Sequence, residues 1–191
     1  RLKRITTTGN LDLKTRIWKL KTVPKLQYFL WKLLSGALAT GETLKRRHIR
    51  NQPVCKRCCQ EEETTQHLFF DCFYAQQVWR AAGFPHNTIT MPGASVNTKM
   101  NIILSPTFAR RHPHLSHLAI WIVWRLWKSR NQLIFQQKSI SWQTTLQLAR
   151  NDEEEWNTST DYLHSLQPPT MSRRDTNNIA KHCVETTALW M

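Results

Sequence analysis

The 191 residues suffice for one domain, or one domain plus a tail, and can bury a core without a metal as sole support. The formal net charge is +14, and nearly all of it lies early: Arg1 to Gln60 carry 15 Lys and Arg against Asp12 and Glu42, whereas residues 61–191 are close to neutral. The longest apolar run, Leu118 to Trp127, is broken by Arg125 and falls short of the roughly 20 residues that span a bilayer, which argues against a membrane role.

A basic surface attracts phosphate backbones through counterion release, although it can equally be a solvated face that maintains solubility. The chain begins at Arg1 rather than Met and reads as a fragment, with no secretory signal. Three of the five cysteines, Cys55, Cys58 and Cys59, fall within five positions. An odd, clustered set argues against a secreted disulfide framework and for metal in a reducing compartment. The expected location is therefore intracellular, in nucleus or cytoplasm, and not secreted.

Residues 1–12, with three threonines and a Gly-Asn turn, read as a frayed leader. A helix is expected from Pro24, which suits a first helical turn; Leu26, Phe29, Leu30, Leu33 and Leu34 form its apolar stripe. A short helix from Thr40 to about His48 ends in Lys45, Arg46 and Arg47, at the negative end of its dipole. Pro53 opens a cysteine loop, Thr65 is a candidate cap for a turn presenting His67, and Cys72 to Ala82 reads as a helix stopped by Gly83. Residues 84–95 form a linker, and Val96 to Leu104 a further helix. From Leu115 to Gln136 the helical pattern is strongest: Trp121, Trp124 and Trp127 recur every third residue beside Ile122, Leu126 and Leu133. Such a stripe could stack bases, but core packing is the expected use. A last helix is expected over Ser141 to Trp156, closing a Trp-rich segment over residues 96–157. Residues 158–191, with Pro168-Pro169, read as a polar, disordered tail. The fold class expected is mainly α, a small helical domain with a structural zinc-binding loop and little or no β-sheet.

The chemistry concentrates in one cluster, C-x2-C, eight residues, then H-x4-C: Cys55, Cys58, His67 and Cys72. Two cysteines three apart can turn both sulfurs to one ion, and four soft or borderline ligands with no open position make a closed tetrahedral zinc site. A closed site cannot activate water, so one structural Zn2+ is expected to organise the fold. Cys59 could replace Cys58 as ligand. Cys183 reads as a bystander, and His112, His114 and His117 as surface or capping residues.

The same residues resemble the reverse-transcriptase zinc-binding domain of plant non-LTR retrotransposons. The likeness runs through Trp18-Lys19-Leu20, Val23-Pro24-Lys25, Phe29-Leu30-Trp31, Leu38-Ala39-Thr40, Leu44 and Arg47. It continues into the metal motif, with Glu63-Thr64, His67-Leu68-Phe69 and Cys72, then Val78-Trp79. Trp124, Trp127-Lys128, Arg130-Asn131 and Phe135 resemble the segment that precedes an RNase H domain in that family. The resemblance places a zinc-binding domain over residues 13–83 and implies a piece of a retroelement polyprotein, detached from the polymerase before it and the RNase H after it. One position departs: the family usually has glycine after the second cysteine, where this chain has Cys59.

No catalytic centre is expected. A polymerase needs paired aspartates to hold two metal ions, and no Asp-Asp occurs. The acidic runs Glu61–Glu63 and Asp152–Glu155 read as solvated faces. No Ser-His-Asp or Cys-His arrangement or glycine-rich phosphate loop stands out. Two non-enzymatic functions remain. In the first, Lys45, Arg46, Arg47, Arg50, Lys56 and Arg57 form a basic face that binds a nucleic-acid backbone, RNA being favoured because a retroelement must hold its template. In the second, the apolar faces of a structural module (Phe29, Trp31, Phe69, Phe70, Trp79) dock onto a polymerase domain, or the chain is an inactive remnant. The charge concentrated in the first 60 residues favours nucleic acid.

Overall fold

The structure, a computed structural model, describes residues 8–49 and 52–165, with side chains from Asp12 to Tyr162. Two compact units are distinguished, residues 1–154 and 155–191. Of the second, only a helical stretch to Ser165 is described.

Helices dominate. They are α1 Thr8–Trp18, α2 Pro24–Leu34, α3 Gly41–Arg46, a π-helical turn His67–Asp71, α4 Phe73–Ala81, α5 His86–Ile89, α6 Val96–Ile103, α7 Pro106–Arg111, α8 Pro113–Gln136 and α9 Trp142–Ser165. Among the described residues there is no sheet, and β-type pairing is confined to an isolated bridge between Val54 and Glu62. The mainly α class is as expected.

The α2 stripe packs as its spacing predicts: Leu26, Phe29, Leu30, Leu33 and Leu34 are all buried, each worth about 1.5–3 kcal/mol. Phe29 meets Phe69 on one side and Trp124 of α8 on the other, at ring-centroid distances of 6.2 and 5.1 Å. Trp79 of α4 is fully buried, lies parallel to Phe70 at 5.4 Å, and donates its indole N–H to the Phe69 carbonyl at 2.7 Å. Lys99 of α6 is buried against these rings with its ammonium 3.3 Å from Asp71. The His67–Asp71 turn and helices α2, α4, α6 and α8 thus share one core.

Several boundaries differ from expectation. The last residues of the expected leader are helical, because α1 starts at Thr8 and buries Leu13 and Ile17; residues 1–7 lie outside the described residues. Residues 84–95 are not a bare linker, since α5 forms within them and Ile89 is buried. The short α7 was not expected, although Ser105 caps it through the Phe108 N–H at 3.1 Å and Pro106 opens it. α9 runs past Trp156 to Ser165, so the start of the expected tail is helical; residues 166–191, Cys183 included, lie outside the described residues. Among the described residues no helix is long and apolar enough to cross a membrane.

The acidic runs are corrected most. Glu61 and Glu62 are exposed, but Glu63 is 2 % exposed. Its carboxylate accepts from Arg130 Nε at 3.1 Å, from a second guanidinium nitrogen of Arg130 at 2.5 Å, and from the Gly41 N–H at 2.8 Å. In the other run Asp152 takes a two-point ion pair from Arg125, and Glu153 lies 2.8 Å from His117 Nδ1. Contiguity in sequence predicted solvation, but helix and turn geometry send neighbouring side chains in different directions, and basic residues of α8 claim them.

Candidate metal centre

Three local structures bring the cluster together. The segment Pro53–Glu63 folds back on itself: Cys55 N–H donates to the Glu61 carbonyl at 2.8 Å and Glu63 N–H to the Pro53 carbonyl at 2.7 Å. Within it the Cys59 N–H closes a turn onto the Cys55 carbonyl at 2.9 Å, and this presents Cys55 and Cys58 together. Gly41 seals the base, where an added Cβ would stand 2.6 Å from the Pro53 carbonyl oxygen.

The other pair needs a wider turn. In an α-helix, residues five apart sit about 140° from alignment around the axis, so His67 and Cys72 would diverge. Here the Cys72 N–H donates to the His67 carbonyl at 2.8 Å, an i→i+5 bond, and the π-helical turn His67–Asp71 swings both toward one point. Thr64, rather than the expected Thr65, caps its entry by accepting from the His67 N–H at 2.9 Å. Cys72 in turn precedes α4, whose N-terminal dipole favours a thiolate.

The ligand atoms of Cys55, Cys58, His67 and Cys72 all lie within 4.8 Å of one another, and Cys58 Sγ is 3.3 Å from His67 Nε2. Tetrahedral Zn2+ with Zn–S near 2.3 Å sets sulfur–sulfur edges of about 3.8 Å, so a small contraction suffices. Cys55, His67 and Cys72 are buried and Cys58 half-buried. Three sulfurs this close cannot all ionise without a cation. The Cys72 sulfur beside it and burial push the Cys55 thiol up to about 11, while the hydrogen bond from Cys55 holds Cys72 down. Backbone N–H groups of Arg57 and Cys58 favour the Cys55 thiolate, and those of Tyr74 and Ala75 favour Cys72. His67 is raised, chiefly by its hydrogen bond with Cys55 and against its burial. The donor set and its supporting N–H groups fit a structural zinc ion.

Cys59 stands apart. It is exposed, adopts a left-handed conformation at φ +55°, and has its sulfur 3.8 Å from the Lys56 carbonyl. The turn therefore selects Cys58 for the cluster, at the position where a side chain with positive φ costs about 1–2 kcal/mol.

Of the six expected basic residues, Lys45, Arg46, Arg47 and Lys56 are exposed, and Arg50 lies outside the described residues. Lys45 Nζ is 3.7 Å from Glu62, an exposed pair of little energetic weight. Arg57 does not belong to an exposed face. It is half-buried, its guanidinium lies 3.6 Å from the centre of the Tyr74 ring, and it donates to Ser129 Oγ at 2.7 Å. Burial lowers its pKa, opposed by Tyr74, Cys72 and Cys55. Arg57 thus ties the cysteine loop to α4 and α8 and sets a positive charge beside a sulfur-rich centre. Of the expected histidines, His112 flanks α8 with its ring 4.9 Å from Phe108, His117 meets Glu153, and His114 is exposed.

A helical domain whose loop is gathered by a largely buried Cys3His cluster has the donor set of a metal-binding module. The family described as zinc-binding in reverse transcriptase matches residues 3–79, a segment that holds the whole cluster and is similar to that domain. No curated protein and no solved structure is significantly similar to the chain.

Proposed function

We propose that this chain is a non-catalytic module of plant retroelement origin in which one Zn2+, held by Cys55, Cys58, His67 and Cys72, fixes the loop between α3 and α4, and that it binds nucleic acid. The convergence of the four ligands beside the exposed cations Lys45, Arg46, Arg47 and Lys56 carries this reading. Phosphate contacts of this kind position a strand without reading its sequence. RNA is the favoured polymer, since a retroelement protein handles its own transcript, and the nucleus or cytoplasm is the corresponding location.

The test is the affinity of the zinc-loaded chain for a single-stranded RNA and a duplex DNA across a salt series. The reading expects a steep fall of log K with log salt, made shallower by Arg46→Gln, Arg47→Gln and Lys56→Gln together. Negligible binding at low salt would overturn it. A second reading is a docking module for a polymerase domain; of the aromatic residues expected for it Phe29, Phe69, Phe70 and Trp79 are buried in the core and Trp31 is half-buried, so it draws instead on the exposed Trp18, Tyr28 and Phe73. Zinc-dependent self-association without oligonucleotide binding would favour it.

A further inference from the structure

The stripe Trp121, Trp124 and Trp127 does not pack uniformly. Trp121 is 5 % exposed, whereas Trp124 and Trp127 are half-buried and line an open groove of about 370 Å³ between α2 and α8. Two features of this groove are not explained by core packing. Lys25 and Lys128 both approach the Trp124 ring, with ammonium nitrogens 5.1 and 5.9 Å from its centre, and among the described residues neither has a carboxylate within 4.0 Å. Phe135, at the far end, is 75 % exposed, and among the described residues no aromatic ring lies against it. Asn131 lies between, its side-chain oxygen accepting from the Arg130 guanidinium at 3.0 Å.

The lining is rigid where it needs to be. Phe29 meets Trp124 edge-on, and the buried Arg130 guanidinium lies 5.0 Å from the Trp127 ring centre, so both indoles are held from beneath. Trp124, Lys128, Asn131 and Phe135 repeat at helical spacing and form one stripe on α8. From Trp124 to Phe135 the helix rises about 16 Å, which matches about five stacked nucleotides at 3.4 Å each. Alternating rings and ammonium groups are what a single strand requires: bases stack on the rings and phosphates take the lysines. A duplex keeps its bases stacked internally and can use only the charges.

We propose that the α2–α8 groove, through Trp124, Trp127 and Phe135 with Lys25 and Lys128, is a binding site for single-stranded nucleic acid. It rests on the reading that this chain binds nucleic acid, and adds a second surface, apart from the residues flanking the metal loop, that selects single strands. The observation that carries it is the coincidence, in one groove, of two lysines with no described carboxylate within 4.0 Å and two half-buried indoles, next to an exposed phenylalanine. Burial and the neighbouring Arg125 and Lys25 charges lower the Lys128 pKa, opposed by the carboxylate of Asp152.

The test uses the zinc-loaded chain with a fluorescent oligouridine strand and, separately, a duplex RNA. Trp124→Ala risks the core through Phe29, so Phe135→Ala and Lys128→Gln are the decisive variants. Phe135→Ala should weaken oligouridine binding about tenfold and leave duplex binding unchanged. Lys128→Gln should reduce the salt slope for the single strand by about 0.7. If both variants bind oligouridine as the parent does, while the triple change at Arg46, Arg47 and Lys56 abolishes binding, the groove is not the site and only this inference fails. If the parent chain binds neither probe, the nucleic-acid reading fails with it. If Phe135→Ala instead turns a self-associating chain monomeric with oligouridine affinity unaltered, the groove is a protein contact and the inference is overturned.

Discussion

Replacing Glu63 by alanine should be among the most damaging single changes outside the metal ligands. The carboxylate is buried and accepts three hydrogen bonds, two from Arg130 and one from the Gly41 N–H. Its loss strands a guanidinium that is 2 % exposed, at a cost of about 3–5 kcal/mol for one partner of a buried pair. The orphaned Gly41 N–H adds about 1–3 kcal/mol. A combined loss of about 4–8 kcal/mol corresponds to a Tm lowered by about 8–32 °C for a domain of this size. Urea denaturation of the zinc-loaded chain, followed by tryptophan fluorescence, measures it directly. Because Glu63 joins the end of the metal loop to Gly41 at the start of α3 and to Arg130 in the C-terminal third of α8, hydrogen exchange should rise over both Gly41–Arg46 and the metal loop. Arg130→Met added to Glu63→Ala should recover much of the loss, since no charge is then left buried. A single-variant loss below about 1 kcal/mol, or a strictly additive cycle, would refute this account of the pair.

Cys59→Gly removes a side chain from φ +55° and should stabilise the loaded chain by about 1 kcal/mol without changing metal stoichiometry; denaturant titration with metal analysis checks both. Gly41→Ala places a Cβ 2.6 Å from the Pro53 carbonyl and should cost about 1–3 kcal/mol in the same titration. Arg57→Gln removes the cation over Tyr74 and beside Cys55 and Cys72, and should weaken zinc about 10–100-fold in a chelator competition while the salt dependence of RNA binding stays as it was. Cys55→Ser and His67→Ala should each lose stoichiometric metal and loosen residues 40–82, read by metal analysis and hydrogen exchange.

What could be read from sequence was whatever has a local period or a fixed spacing. The α2 stripe and the Cys-Cys-His-Cys quartet are of that kind, and both stand where they were expected. The wide turn at His67–Asp71 was not legible, because an i→i+5 ladder has no residue preference of its own and follows from bringing His67 and Cys72 together. Glu63 was misread for a different reason. Its partner lies 67 residues away, and a run of three glutamates looks solvated to any local rule. The pairing of Glu63-Thr64 with Arg130-Asn131 among the residues of the family resemblance was the available signal. Arg57 and the split tryptophan stripe share that cause, since which side chains tertiary neighbours cover is decided by α4 and α8 rather than by the stripe itself. The helix α7 could have been found from Ser105-Pro106, a cap followed by proline at the first helical position.

Zinc K-edge X-ray absorption on the chain loaded with one equivalent of Zn2+ tests the metal centre, on which the rest of the account depends. Three sulfurs at about 2.3 Å and one imidazole nitrogen at about 2.0–2.1 Å, unchanged in Cys59→Ser and lost in Cys58→Ser, is the predicted result. A four-sulfur shell, a shell completed by water oxygen, or one that survives Cys58→Ser and vanishes with Cys59→Ser would contradict the Cys55, Cys58, His67, Cys72 assignment.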